Sequence, residues 1–466
     1  MNLSELNKWN DRFRFDSEFV KKEYLALEKI LQNKNHKLLA NTDCKILHPS
    51  EIKREYVDEE SGVWFFRAQN VRPLKIEDSN NVFISKKDAK RLSKNLIKKH
   101  DVVITRTGAN FGQTALYNLD KTAIGSSHTF ILRNSYFNQS FLAVFFNTNY
   151  GRKLIDKGTY GGSQPEIAPY YLSHIPIPEF SNNFQKQIEN CLLRSEEYIH
   201  QSKKSYTQAE SLLLKTLGLE NFKPSQAPVN IKSFKDSFGA SGRLDAEYYQ
   251  MRYEDYGELI RSYSNGFELL HQVCEIKDAN FNSSDKQKYK YIELADIGKS
   301  GEVTGCTYDV GSALPTRARR KVNTNDVVIS SIAGSLESCA LITADYDNAL
   351  CSTGFYVLTS EKLNPETLLV LFKSEPLQNI LKKGCSGTIL TAIGKSELER
   401  VPIPIVEKEI QKQFQDKITE SFTLKKQSEH LLTTAKRAVE AAIEGGEAAG
   451  VGYIVKGMEG VGEGGI

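Results

Sequence analysis

The feature that most constrains the fold is an internal duplication, because the chain of 466 residues carries one plan twice. "DVVITRTGANFGQTAL", Asp101 to Leu116, has a counterpart in "DVVISSIAGSLESCAL", Asp326 to Leu341. Asp-Val-Val-Ile and Ala-Leu are kept at the ends, and the ten residues between them all differ. Self-similarity at a fixed spacing signals a repeated structural unit. The other shared segments fall in the same order. Each copy opens on Arg, an apolar residue, Asp, a small residue, Glu and an aromatic: "RFDSEF" from Arg14 and "RLDAEY" from Arg243. Strand-like "VWFFRAQNV" from Val63 and "YKYIELADI" from Tyr289 follow, rich in β-branched and aromatic residues. After the framed segment come "SSHTFILR" or "CSTGFYVL", then amphipathic helical stretches from Phe141 and Thr367. Gly-rich turns, "GTYGGSQPEI" and "GCSGTILTAI", lead to Pro-spaced "HIPIPEF" and "RVPIPIV". Proline lacks a donor, so these last pieces are expected at sheet edges or as connections.

A long helix closes each copy, over about Phe184–Leu217 and Glu409–Ile443. Superposing the two gives a shared seven-residue line: Leu192, Ile199, Tyr206 and Leu213 fall on Ile418, Lys425, Leu432 and Val439. The adjoining line is small throughout, with Ser195, Ser202, Ala209 and Thr216 on Ser421, Ser428, Ala435 and Ala442. Such spacing suits helices that pack along a seam, and small side chains let two backbones approach. Antiparallel pairing of the two helices is expected; the alternative is that each packs on its own domain. Lys425 interrupts the apolar line.

The length predicts more than one core. With 40% hydrophobic and 26% charged residues the composition is that of a globular protein, and no apolar run approaches a membrane span. The N-terminal stretch lacks the pattern of a signal peptide, so a cytoplasmic location is expected. Seven scattered cysteines without Cys-x-x-Cys point to reduced, mostly buried thiols and no metal site. Catalytic signatures are missing: "TAIGKS" lacks the first glycine of a phosphate-binding loop, His-Glu-x-x-His and Gly-x-Ser-x-Gly do not occur, and no Gly-x-Gly-x-x-Gly follows a strand-like segment.

A net charge of +3 says little about partners, but its distribution says more. Basic runs precede the framed segment in both copies: Lys86, Lys87, Lys90, Arg91 and Lys94 in the first, Arg317, Arg319, Arg320 and Lys321 in the second. Clustered cations neutralise phosphates, although a single run reads equally well as a solvated face. Inside the frame lie Thr105, Arg106, Thr107, Asn110, Gln113 and Thr114, against Ser330, Ser331, Ser335, Glu337 and Ser338. Arg, Asn and Gln can read base edges through paired hydrogen bonds, while ordinary loops are also rich in such residues.

The ordered series "RFDSEF", "DVVITRTG", "GGSQPEI", "IPIPEF", "QKQI" and a long helix, present twice, resembles the specificity subunit of type I restriction-modification systems over nearly all of residues 1–443. That resemblance implies a non-catalytic chain whose two target-recognition domains each read one half of a split DNA sequence. It implies double-stranded DNA, two methyltransferase subunits and restriction (helicase-nuclease) subunits as partners, with no membrane association. No cofactor is expected on the chain itself; S-adenosylmethionine, ATP and Mg are expected on the partners. By position it adds the Gly-rich turns, with Ser163, Gln164 and Thr388, to the DNA-contact candidates. The fold expected is α+β: two tandem mixed α/β domains separated by two long antiparallel helices as a coiled-coil-like spacer, with an internal pseudo-two-fold repeat. The layout expected is a first recognition domain over 1–180, a first spacer helix over 181–219, a second domain over 220–405, a second spacer helix over 406–443 and a flexible Gly-rich tail over 444–466. A DNA-modifying enzyme with an unrecognised site and a protein-binding scaffold are the alternatives.

Overall fold

The structure, a computed structural model, describes residue 14 and residues 16–53, 55–133, 136–161, 165–387 and 391–462. They form two compact units, Met1–Ile199 with Lys426–Ile466, and His200–Lys425. The division falls inside both long helices, Asn182–Thr216 and Lys408–Gly445, rather than at their ends as the sequence layout had it. The reason lies in burial. Ile188, Leu192, Leu432 and Val439 belong to the core of the first unit, whereas Tyr206, Leu213, Phe414 and Ile418 belong to that of the second.

The duplicated plan is a duplicated topology. In the first unit a four-stranded sheet runs in the order Thr114–Tyr117, Asp101–Thr105, Thr129–Arg133, Lys45–Leu47. In the second the order Cys339–Leu341, Val327–Ser330, Phe355–Thr359, Glu275–Ile276 repeats it. A second sheet in each unit has one parallel pair, Gly62–Phe66 with Ala123–Gly125 and Lys288–Ile292 with Leu350–Ser352. An antiparallel neighbour follows on the same strand, Leu96–Ile97 or Ala318–Lys321. The Pro-spaced pieces make two-stranded ribbons, Pro176–Pro178 with His36–Leu38 and Pro402–Pro404 with Phe267–Leu269. Outside larger sheets, their missing donors disturb no ladder.

The kept residues of the frame are those that these layers need. Side chains alternate across a strand, and the strand Asp101–Thr105 is buried on both faces. Val102 and Ile104 join the helix-covered core, while Val103 joins the core between the sheets. Val327, Ile329 and Val328 divide in the same way. On the return strands Leu116 and Ala115, and Leu341 and Ala340, repeat the split. Each fully buried Val, Leu or Ile contributes about 1.5–3 kcal/mol, so both copies retain them.

The leading aspartates close a turn. His100 and Asn325, each just before its aspartate, have φ of 70° and 71°. Asp101 Oδ2 accepts the Lys98 N–H at 2.7 Å and Asp326 Oδ2 the Asn323 N–H at 2.8 Å. Both carboxylates are buried and paired, with Arg133 at 2.5 Å and Lys277 at 2.7 Å.

Along the long helices the small residues bring backbones into hydrogen-bond range. In the first unit the Ser195 and Ser428 hydroxyls lie 2.7 Å apart, and Ser195 also donates to the Ser428 carbonyl at 3.1 Å. In the second, Ser202 donates to the Ser421 carbonyl at 2.8 Å and Ser421 to the Ser202 carbonyl at 2.9 Å. Ser205 reaches the Lys417 carbonyl at 3.0 Å, so numbers fall on one helix as they rise on the other and the pair is antiparallel. Leu192, Tyr206, Ala209, Leu213, Ile418, Leu432, Ala435 and Val439 are buried, and Ile199 is half-buried. Lys425 forms an ion pair with Glu302, whose side chain is 12% exposed, which accounts for a cation on the apolar line.

The expected flexible tail is corrected by a helix over Glu447–Gly462. Its glycines, which made the segment read as a flexible tail, provide close approach. A Cβ at Gly450 would stand 2.6 Å from the Ala438 carbonyl and 2.7 Å from the Phe184 ring, and one at Gly457 would meet Thr434 at 2.4 Å. Glu447 accepts the N–H and hydroxyl of Ser181, both at 2.6 Å, and Ile454 is buried. Packing here outweighs a helix-propensity cost of about 1 kcal/mol for each glycine.

Candidate nucleic-acid interface

In each unit the framed hairpin and the Gly-rich turn, far apart in sequence, come together. The Gly-rich segments form short hairpins, Thr159–Tyr160 with Glu166–Ile167 and Cys385–Ser386 with Ala392–Ile393. Isolated bridges join them to the framed loops at Thr107 and Glu166, and at Ile332 and Ala392. In the second unit the Ile393 N–H donates to the Ser331 carbonyl at 2.8 Å and the Ala333 N–H to the Thr391 carbonyl at 2.9 Å.

Several polar side chains of the frame are turned into the fold. Thr105, Thr107, Thr114 and Ser330 are buried. Thr105 Oγ1 binds the Asn110 carbonyl and accepts the Gln113 N–H at 2.8 Å, while Thr107 Oγ1 lies 2.6 Å from His128 Nδ1. Ser330 Oγ accepts the Ile332 N–H at 3.1 Å and lies 3.0 Å from Ser335 Oγ; Ser331 donates to the Gly354 carbonyl at 2.9 Å. Short hydroxyl side chains favour such local backbone bonds, and here they close the loops. Asn110, Gln113 and Ser338 are half-buried and Glu337 is exposed. Gln113 Oε1 is buried with no hydrogen-bond partner among the described residues. Ser163, Gln164 and Thr388 lie outside the described residues.

Arg106 ties the first interface together. Its Nη2 pairs with Glu166 at 2.6 Å, and its Nη1 lies 3.1 Å from the Ser127 carbonyl and 2.9 Å from His48 Nε2. The side chain is 19% exposed. Its charge is therefore met by a carboxylate of the Gly-rich hairpin. Guanidinium stays protonated, so His48 Nε2 accepts. Burial, and then the charge of Arg106, lower the His48 pKa. The neutral imidazole thus adds stability above about pH 6.5, which is lost as pH falls through the lowered value. We expect the His48 ring to titrate below 6.5 by NMR and Arg106→Ala to raise its midpoint; an unchanged midpoint would contradict the contact.

The basic runs are built differently in the two copies. Lys86, Lys87, Lys90 and Arg91 are exposed on the helix Lys86–Arg91, which Ser85 caps by accepting the Asp88 N–H at 3.1 Å; Lys94 is exposed on the following turn. In the second copy Arg319, Arg320 and Lys321 lie on the strand Ala318–Lys321. Arg317, just before it, pairs with Glu293 at 2.9 Å, and Arg320 donates to Asn280 at 3.2 Å. Lys321 lies 5.7 Å from the Phe281 ring centre. Sequence reading did not find His48, His128, Glu166, Asn280 or Phe281, each joined to its partner only by the fold.

Among the described residues no group of His, Cys, Asp and Glu could hold a metal ion, and no helix is long and apolar enough to cross a membrane.

Two units of one topology each present a hairpin of the same frame with different contents. Residues 267–433, within the second copy of the plan, match the family model described as "Type I restriction modification DNA specificity domain". No curated protein matches the chain. Among solved structures, the S subunit of a type I restriction-modification system from M. genitalium is 14% identical, with 88% of this chain and 96% of that one covered, at a TM-score of 0.44. The HsdS subunit from Thermoanaerobacter tengcongensis is 14% identical, covering 86% and 95%, at a TM-score of 0.26.

Proposed function

We propose that the chain is the DNA specificity subunit of a type I restriction-modification complex, each unit reading one half of a two-part target. The observation that carries the proposal is the repeated frame with changed contents, in a chain whose second copy matches a DNA specificity domain. Equivalent strands hold the two loops, so each copy keeps its scaffold and differs where a ligand would be met. On this reading the chain performs no catalysis and works in the cytoplasm. The antiparallel helices dock methyltransferase subunits; these hold S-adenosylmethionine, and restriction subunits supply the ATP- and Mg-dependent steps.

Binding then has a sequence-reading part from the hairpins and a phosphate part from the basic runs. Footprinting of the full chain with its methyltransferase subunits is expected to protect two short blocks separated by unspecified bases. The log of the affinity should fall linearly with log salt, and Lys86→Ala, Lys87→Ala, Lys90→Ala and Lys94→Ala should each reduce the slope by about 0.9 where the lysine meets a phosphate. One contiguous block, or turnover by the purified chain alone with S-adenosylmethionine or Mg²⁺, would overturn the proposal; turnover would favour an enzyme.

A further inference from the structure

The motifs that open the two copies, "RFDSEF" and "RLDAEY", make the same contacts twice. Arg14 donates to the Gly158 and Thr159 carbonyls at 3.0 and 2.7 Å and to Asp16 at 2.9 Å, and its guanidinium lies 4.8 Å from the Phe19 ring centre. Asp16 also accepts the Phe19 N–H at 3.0 Å. Arg243 donates to the Cys385 carbonyl at 3.0 Å and to Asp245 at 2.7 Å, and lies 4.4 Å from the Tyr248 ring centre. Asp245 accepts the Tyr248 N–H at 3.0 Å.

The carbonyls held are those at the start of the Gly-rich hairpin in each unit. That hairpin is bridged in turn to the framed hairpin, at Thr107 and Glu166 in one copy and at Ile332 and Ala392 in the other. We infer that Arg14 and Arg243 are positioning residues, each fixing through the Gly-rich hairpin the place of the framed hairpin in its own unit. The inference rests on the DNA-reading function proposed above, since it assigns these arginines to specificity without contact to DNA. A guanidinium suits the task because its planar fork can bond a carboxylate and carbonyls together while its face stacks on a ring; an ammonium offers no such plane. The kept aspartate holds the fork, and the kept aromatic gives it a surface. Arg-x-Asp-x-x-aromatic is therefore one device rather than three separate residues.

The test compares the wild-type full chain with Arg243→Ala, Arg243→Lys, Asp245→Asn and Arg14→Ala, using selection from random-sequence DNA and amide exchange. Arg243→Ala is expected to weaken the preference at one half of the selected sequence about tenfold, the scale of a lost charge-assisted hydrogen bond. The other half should hold within about twofold, as for distant sites. Arg14→Ala should do the reverse, and Arg243→Lys and Asp245→Asn should fall between wild type and Arg243→Ala. Exchange of the Ala333 and Ile393 amide hydrogens, which make the bonds between the two hairpins, should rise in Arg243→Ala and not in Arg14→Ala. Equal weakening of both halves, or unchanged exchange at both amides, would overturn the inference. If the wild type selects no two-part sequence, the DNA-reading function fails, while the amide exchange still decides whether the arginine holds the hairpins.

Discussion

Exchange of residues 20–170 for the corresponding stretch of another chain with the same duplicated plan is expected to replace the preference at one half of the DNA target and leave the other intact. The basis is the separation of the cores. The clusters built on Phe130, on Trp64 and on Ile84 draw only on the first unit, and those built on Phe372, on Val328 and on Tyr291 only on the second. The framed strand, both sheets and the Gly-rich hairpin of the first unit all lie within the exchanged stretch. Each base pair of the old half that no longer fits costs about 1–3 kcal/mol, so discrimination at that half should switch wholly. Competition binding with targets altered in one half at a time measures it. A change in both halves would show that the two readers are coupled.

Arg133→Met is expected to destabilise the first unit by about 3 kcal/mol, because it leaves the Asp101 carboxylate buried without its cation. The Asp101 side chain is 3% exposed and receives Arg133 Nη2 at 2.5 Å and Nε at 2.8 Å. The hydrogen bond with Asp101 raises the Arg133 pKa, the sign expected of a cation held by its partner. Denaturant unfolding followed through Trp64, buried in the core between the sheets of this unit, reports the loss. Adding Asp101→Leu should recover part of it, since removing both charges is gentler than orphaning one. A loss below about 1 kcal/mol would place the pair among weak surface bridges.

The scaffold was legible where side-chain pattern alone decides burial. A strand covered on both faces must be apolar throughout, so Val102, Val103 and Ile104 announced themselves and their echo exposed the second copy. The serine line of the long helices was legible for the same reason, as a period. The hydroxyls of the frame were not, because Thr105 or Ser330 has the same composition whether it faces a ligand or closes its own loop. Arg106 looked free because Glu166 and His48 approach it from other parts of the chain. Lys425 was visible as a break in the apolar line, but Glu302 lies too far off in sequence to be paired with it. Glycine content hid the last helix, since propensity argued against it and only the close contacts of Gly450 and Gly457 argue for it.

That last helix also makes the groove between the ends of the long helices a matter of competition. Phe184, Ala438 and Ala442 are covered by a segment of the same chain, with Gly450 seated among them. A chain that stopped at Ile443 would present this groove bare, available to any apolar helix from another subunit. Here such a helix must displace one that is always at hand, tethered through Gly445 and Gly446 at high effective concentration. Whatever reaches this end of the helix pair must first displace the chain's own last helix, seated through Gly450 and Gly457.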